Sequence, residues 1–240
     1  VFVLVLCTLS GCGRAAFDNS QAESSTSILE ADPESLDDIT MEGLVSEVLG
    51  QMTLEQKIGQ LFIVSTDSLD FNAETEMTDQ MKQNIKKYQP GGVIFFSFNF
   101  TNDEDIKQNR KNLKKFIRKM QKASTVPMFM SVDEEGGTVS RVANSESFGT
   151  TKFPTMSEVG STGDSANAYN VGATIGREIS ELGFNLDFAP VADISTNADN
   201  TEIGSRSFGR DAQLVSDMVS EEVKGLQQNG VSATLKHFPG

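Results

Sequence analysis

The 240 residues include only two cysteines and one histidine, and both cysteines, Cys7 and Cys12, fall within the first dozen positions. The body of the chain therefore has no disulfide framework and no cysteine-based metal site. His237, standing alone, argues against a zinc centre, which draws on several nitrogen or sulfur ligands. Long hydrophobic runs are lacking too: the opening stretch Val1 to Leu9 falls well short of the roughly 20 apolar residues that a spanning helix needs. Basic residues are in deficit, 20 Lys and Arg against 34 Asp and Glu, for a formal net charge of −14. That balance argues against nucleic acid as a partner, because phosphate binding needs clustered Lys and Arg. The one basic run, Lys107 to Lys122, has helical spacing and reads as a solvated helix face.

The acidity is unevenly placed. The first fifty residues carry nine acids against one base, Arg14, so −8 of the −14 sits there and the remaining 190 residues carry only −6. Val1 to Leu9 followed by Ser10-Gly11-Cys12 reads as a secretory signal cut short at its start, with a short apolar segment ending in small residues. Leu9-Ser10-Gly11-Cys12 resembles a bacterial lipobox, which makes Cys12 the expected lipidation site and residues 1–12 a partial lipoprotein signal. Residues 13–40 are too polar to build a core and read as an acidic tether. The expected location is therefore outside the cell, lipid-anchored to the bacterial membrane or envelope.

From Met41 onward the texture changes. Leu44, Val45, Val48, Leu49 and Met52 recur at helical spacing, and Thr53-Leu54-Glu55-Gln56 has the form of a capping box. Five short apolar runs follow, at Leu61–Val64, Val93–Phe96, Val126–Val132, Phe184–Val191 and Val231–Leu235. Between them lie helix-length amphipathic segments near Glu74–Tyr88, Asn102–Ala123, Ala166–Leu182 and Asp211–Asn229. This alternation predicts an α/β fold with parallel strands and helices packed outside. An open doubly wound sheet and a TIM-type (β/α)8 barrel both fit it. The barrel is favoured, because no Gly-rich phosphate loop follows the first strand. In addition, Asp133, Asp193 and Lys236-His237 sit just after strand ends, where barrels build active sites. With five strands, about five of eight βα units are present, and residues 41–240 form one incomplete barrel domain.

Ser131 to Arg141 is the most informative stretch. Three acids after a buried strand, then Gly136-Gly137, describe a tight turn exposing carboxylates. A carboxylate at a strand end accepts hydrogen bonds from two neighbouring hydroxyls, glycines let the backbone approach a sugar ring, and Arg141 can return as a forked donor. Taken alone, the motif reads more readily as an acidic surface turn. It is accompanied, in order, by Met52 to Gln60, by Ile203-Gly204-Ser205-Arg206-Ser207-Phe208-Gly209 and by Leu235-Lys236-His237-Phe238-Pro239-Gly240. Together these resemble the family 3 glycoside hydrolases over about Met41 to Gly240. Within that family, Asp133 to Arg141 is similar to the D-x-E-G-G-x-V-x-R turn, and Ile203 to Phe208 to the I-G-x-R-S-F loop, of β-N-acetylglucosaminidases acting on peptidoglycan fragments.

The resemblance implies a retaining glycosidase that hydrolyses terminal β-linked N-acetylhexosamine, from peptidoglycan fragments or chitooligosaccharides, with no cofactor and no metal. It implies that Asp133, Arg141, Arg206, Lys236 and His237 bind the sugar, Asp133 accepting from hydroxyls and the others mainly donating. Asp193 is read as loop-shaping, Asp187 as structural, and Phe153-Pro154 as shaping a loop over the barrel mouth. Glu134 and Glu135 receive no catalytic role from the family pattern. The nucleophilic Asp and the acid/base His are expected beyond Gly240, so the chain by itself is expected to be inactive. Three alternatives stay open: a family 3 β-glucosidase or β-xylosidase, a non-catalytic surface sugar-binding lipoprotein, and an unrelated barrel enzyme acting on phosphorylated substrates.

The lipobox reading carries its own test. Cys12→Ala should block lipid processing and release the protein from the membrane fraction, as read by fractionation and metabolic palmitate labelling. Equal cytoplasmic recovery of wild type and variant would refute it.

Overall fold

The structure, a computed structural model, describes residues 41–197 and 199–238; the lipobox and the acidic tether lie outside the described residues. It opens with α1 (Met41–Gln51) and α2 (Leu54–Gly59). The expected capping box is formed: the Thr53 hydroxyl accepts from the Gln56 amide at 3.3 Å, and the Gln56 side chain accepts from the Thr53 amide at 3.0 Å. The chain continues through β1 (Ile63–Ser65), α3 (Thr66–Leu69), α4 (Asp79–Tyr88), β2 (Gly92–Phe95), α5 (Ile106–Gln121) and β3 (Phe129–Val132). A hairpin of β4 (Glu134–Gly136) and β5 (Val139–Ser140) follows, then α6 (Met156–Ser161), α7 (Ser165–Leu182), β6 (Leu186–Asp187), α8 (Ala212–Gln228) and β7 (Ser232–Ala233). No helix among the described residues is long and apolar enough to cross a membrane.

The main sheet has the order β1-β2-β3-β6-β7, and every neighbouring pair is parallel. Each strand adds beside the one before it, with no reversal. A doubly wound sheet reverses at a switch point, whereas a (β/α)8 barrel grows in one direction. The sheet order thus decides between the two architectures that the alternation permits.

All five expected strands are present, but all except β2 are shorter than their apolar runs. In Val126–Val132 the ladder begins only at Phe129, because Pro127 has no N–H to donate. In Phe184–Val191 it covers Leu186–Asp187, and Pro190 interrupts it in the same way before a single bridge resumes between Val191 and Lys236. The helices start where side chains supply caps: Thr78, Asp105, Asp164 and Asp211 each accept from a first-turn amide of α4, α5, α7 and α8. The basic run does lie on α5, whose opposite face buries Leu113, Phe116, Ile117 and Met120. Phe95 of β2 meets Phe116 and Phe184 edge to face, with centroids 5.6 and 5.4 Å away, and ties that helix to the sheet.

The most extensive helix packing joins α7 to α8. A Cβ on Gly172 would sit 2.3 Å from the Glu222 carbonyl oxygen, and one on Gly225 would sit 2.5 Å from that of Tyr169. These glycines are present because backbone meets backbone there. Gly172→Ala should therefore force the helices apart and destabilise the fold by about 1–3 kcal/mol. Gly50→Ala, in α1 with nothing within 4 Å, should be neutral or stabilise by up to about 0.5–1 kcal/mol. Urea midpoints of the two variants check this; equal shifts would show that the α7–α8 contact is looser than described.

Candidate active site

The loops that follow the C-terminal ends of β3, β6 and β7 converge on one cluster of charges. Lys236 comes first, because the Val191–Lys236 bridge carries the β6–β7 pairing past Pro190 and fixes the Lys236 backbone. Its Nζ lies 2.7 Å from Asp133 Oδ1 and 2.5 Å from Glu135 Oε1. Glu135 in turn receives Arg206 in a two-pronged bond, Nε to Oε2 at 2.8 Å and Nη2 to Oε1 at 2.7 Å. Arg206 comes from a short 3-10 turn at Gly204–Arg206 and also donates to the Glu202 carbonyl at 2.9 Å. Its pKa is raised above the usual arginine value, chiefly by the hydrogen bond to Glu135. Arg206 Nη2 continues to His237 Nε2 at 3.1 Å. Asp193 Oδ2 lies 2.7 Å from His237 Nδ1 and accepts from the His237 amide at 3.0 Å. Arg206 can only donate and Asp193 accepts, so the pair selects the tautomer with the proton on Nδ1.

Four of the five expected sugar-binding residues, Asp133, Arg206, Lys236 and His237, thus stand within one hydrogen-bonded chain. The fifth, Arg141, follows β5, where its amide donates to the Asp133 carbonyl at 3.0 Å. It pairs with none of the four; its charge acts on Glu134, and its buried Nε has no hydrogen-bond partner. His237, expected mainly to donate, has its one ring proton directed at Asp193. Asp193 therefore does more than shape a loop: it holds the histidine from two directions.

The hinge of the network is Glu135, which the sequence reading passed over. The expected turn exposing three carboxylates is instead a buried hairpin. Glu135 is 1 % exposed, and Glu134 faces the other way, accepting from the Val142 and Ala143 amides at 2.7 and 3.1 Å. Strand alternation separates them: Asp133 and Glu135 share one face and Glu134 the opposite one. That period of two, continuing out of β3, is the sequence signal that could have singled out Glu135. Gly136 and Gly137 take left-handed φ of 84° and 64°, and a Cβ on Gly137 would sit 2.8 Å from the Thr155 Cα. The segment around Phe153-Pro154 therefore packs against the hairpin.

Behind the cluster lies a second set of acids. Asp187 accepts from the Glu134 amide at 2.9 Å through Oδ1, while its Oδ2 and both oxygens of Glu222 are buried without partners. Burial pushes the Glu134 carboxyl up to about 7 and Glu222 to about 8, and raises Asp187 well above the ordinary range; the Glu135 charge adds to the shift on Glu222. Asp187 is thus structural, as expected, and closes the hairpin onto β6. No group of three metal-ligating side chains occurs among the described residues. A 590 Å³ apolar groove along α8, lined by Ala192, Val215, Val219, Val223 and Leu235 among others, contains none of these charged residues.

Glu222 makes stability depend on pH. Its folded pKa of about 8 lies above the ordinary 4.5, so the folded state keeps a proton that the unfolded state gives up, and stability falls as pH rises from about 4.5 to 8. Glu222→Leu should raise the melting midpoint at pH 8 by more than at pH 5. Equal shifts at both values would show that the carboxyl is not desolvated.

The chain is 33% identical over 172 residues to beta-hexosaminidase A of Pseudoalteromonas piscicida, covering 70% of this chain and 28% of that protein. It is 30% identical over 214 residues to a beta-N-acetylglucosaminidase/beta-glucosidase of Cellulomonas fimi, covering 88% and 34%. Among solved structures, a glycoside hydrolase family 3 beta-N-acetylglucosaminidase from Paenibacillus sp. superposes with a TM-score of 0.67 at 36% identity, covering 79% of this chain and 34% of that one. The chain thus spans about a third of the length of these relatives. The family model for the glycosyl hydrolase family 3 N-terminal domain matches residues 53–240, and the chain belongs to that family.

Proposed function

We propose that the chain is the sugar-binding part of a retaining glycosidase that removes terminal β-linked N-acetylglucosamine from peptidoglycan fragments or chitooligosaccharides. The observation that carries this is the charge balance of the cluster. Lys236 is matched by Asp133 and Glu135, and Arg206 by Glu135, so neither of these two cations is left over for a phosphate; Arg141 stands outside the chain of ion pairs and acts on Glu134. A site for a phosphorylated ligand keeps unmatched cations or free helix-end amides for the anion. A balanced array of acceptors and donors at a barrel mouth suits a neutral, polyhydroxylated ring. Asp133 accepts from sugar hydroxyls while Lys236 holds its second charge partner, and Arg206 and Lys236 donate.

The carboxylates of the cluster serve binding. Asp133 and Glu135 are each held by a cation, Lys236 against both and the Arg206 fork on Glu135, so their oxygens are already committed to positioning the site. The names of the relatives support the N-acetylglucosaminide specificity, and that of the Cellulomonas fimi protein supports β-glucosidase as a second reading. Attachment to the envelope through lipidated Cys12 is proposed on the lipobox alone.

Turnover by the complete gene product tests this reading. Aryl β-N-acetylglucosaminides should be hydrolysed in preference to the matching β-glucosides, and a reversed preference would establish the second reading. Asp133→Ala should lower kcat/KM by about a hundredfold or more, since hydrogen bonds to a charged partner contribute about 1.5–3 kcal/mol each. Near-normal activity of that variant would place Asp133 outside the sugar pocket.

A further inference from the structure

The C-terminal end of β2 displays two aromatic rings that the charged cluster does not use. Phe95 pairs in register with Val132, so Phe96 and Asp133 are the next residues along their two strands, at a backbone spacing of about 5 Å. Phe95 is buried in the helix layer, and strand alternation turns Phe96 to the opposite side, the side of Asp133. Phe98 lies over Phe96, with ring centroids 5.9 Å apart and planes inclined by 23°, and 44% of Phe98 is exposed.

This display is held firmly from below. The 3-10 turn Ser97–Asn99 is pinned by buried Asn99, whose Oδ1 accepts from the Phe96 amide at 2.9 Å. Its Nδ2 donates to Thr66 Oγ1 at 2.6 Å and to the Glu74 carbonyl at 2.7 Å, so the loop after β1 braces the loop after β2. Hydrophobic burial does not explain the outer ring, since much of Phe98 faces water. Pyranose rings with equatorial substituents present flat patches of axial C–H, and these pack on the electron-rich face of an aromatic ring.

We propose that the stacked Phe96–Phe98 pair is a platform for a second pyranose ring, the one on the far side of the bond from the sugar held by Asp133, Lys236 and Arg206. The proposal rests on the reading of that charged cluster as a sugar site. Within the proposed substrate class it gives the leaving group a role in binding, through a sugar ring seated on Phe98.

The test uses the complete gene product with two probes, free N-acetylglucosamine and a sulfur-linked chitobiose that is not hydrolysed. By calorimetry, the disaccharide should bind about three- to tenfold more tightly than the monosaccharide. Phe98→Ala and Phe98→Leu should both abolish that gain while leaving monosaccharide affinity unchanged, and Phe98→Tyr should retain it. Leucine keeps the apolar bulk without a ring face, so it separates stacking from a merely structural role. On the unmodified protein, saturation-transfer NMR should show the axial C–H protons of the reducing ring receiving magnetisation. Equal affinity for the two probes, a gain that survives in the leucine variant, or no transfer to the reducing ring would overturn the platform and leave the sugar site standing. Failure of N-acetylglucosamine itself to bind would overturn the sugar-site reading, and the platform with it.

Discussion

Glu135 is a carboxylate almost wholly removed from water, and the arrangement of the site follows from what that burial demands. A buried charge without partners is costly, and removing one partner of a buried pair typically costs about 3–5 kcal/mol. Glu135 meets the demand with Lys236 on one side and the fork of Arg206 on the other. These cations arrive from the loops after β7 and β6, while Glu135 itself belongs to the hairpin after β3. One acid therefore fixes three loops relative to each other. The geometry offered to a ligand by Asp133, Arg206 and Lys236 is a consequence of that constraint.

The remaining buried acids meet the same demand in another way. Glu134 uses two backbone amides, Asp187 uses one, and Glu222 has no partner for either oxygen. Burial disfavours the charged form of both Asp187 and Glu222 and raises both pKa values, and for Glu222, raised to about 8, a proton takes the place of a counter-ion. The floor of the site is thus acidic in composition but little charged in its interior. Ion pairs are spent where a ligand can reach and protonation where it cannot, so the electrostatic character of the mouth is set by residues on the strand ends rather than by the −14 of the whole chain.

Legibility differed by element. The helices were readable because amphipathic spacing and end caps are local: Asp105 and Asp211 announce α5 and α8 within a turn of their starts. The strands were readable as apolar runs, but their extents were not. A ladder also needs an N–H at every second position, which Pro127 and Pro190 withhold, and a partner strand of matching length. The hairpin of β4 and β5 was read as an acidic turn, because three consecutive acids look solvated until Lys236 and Arg206, 101 and 71 positions away from Glu135, are brought beside them.

The sequence by itself determined the α/β alternation, the membership of Asp133, Arg206, Lys236 and His237 in one site, and the absence of any cysteine- or histidine-rich metal centre from the body of the chain. The alternation and the missing metal ligands follow from residue types at short spacing, where composition and periodicity act directly; the shared site follows only from the resemblance of three separated motifs to the family 3 pattern. Tertiary structure alone decided the strand order that separates a barrel from a doubly wound sheet, the role of Glu135 as a bridge and of Asp193 as the holder of His237, and the stacking of Phe96 and Phe98 beside Asp133. Each of these depends on which segments lie next to one another in space. That proximity is set by packing across the sheet, and local sequence does not encode it.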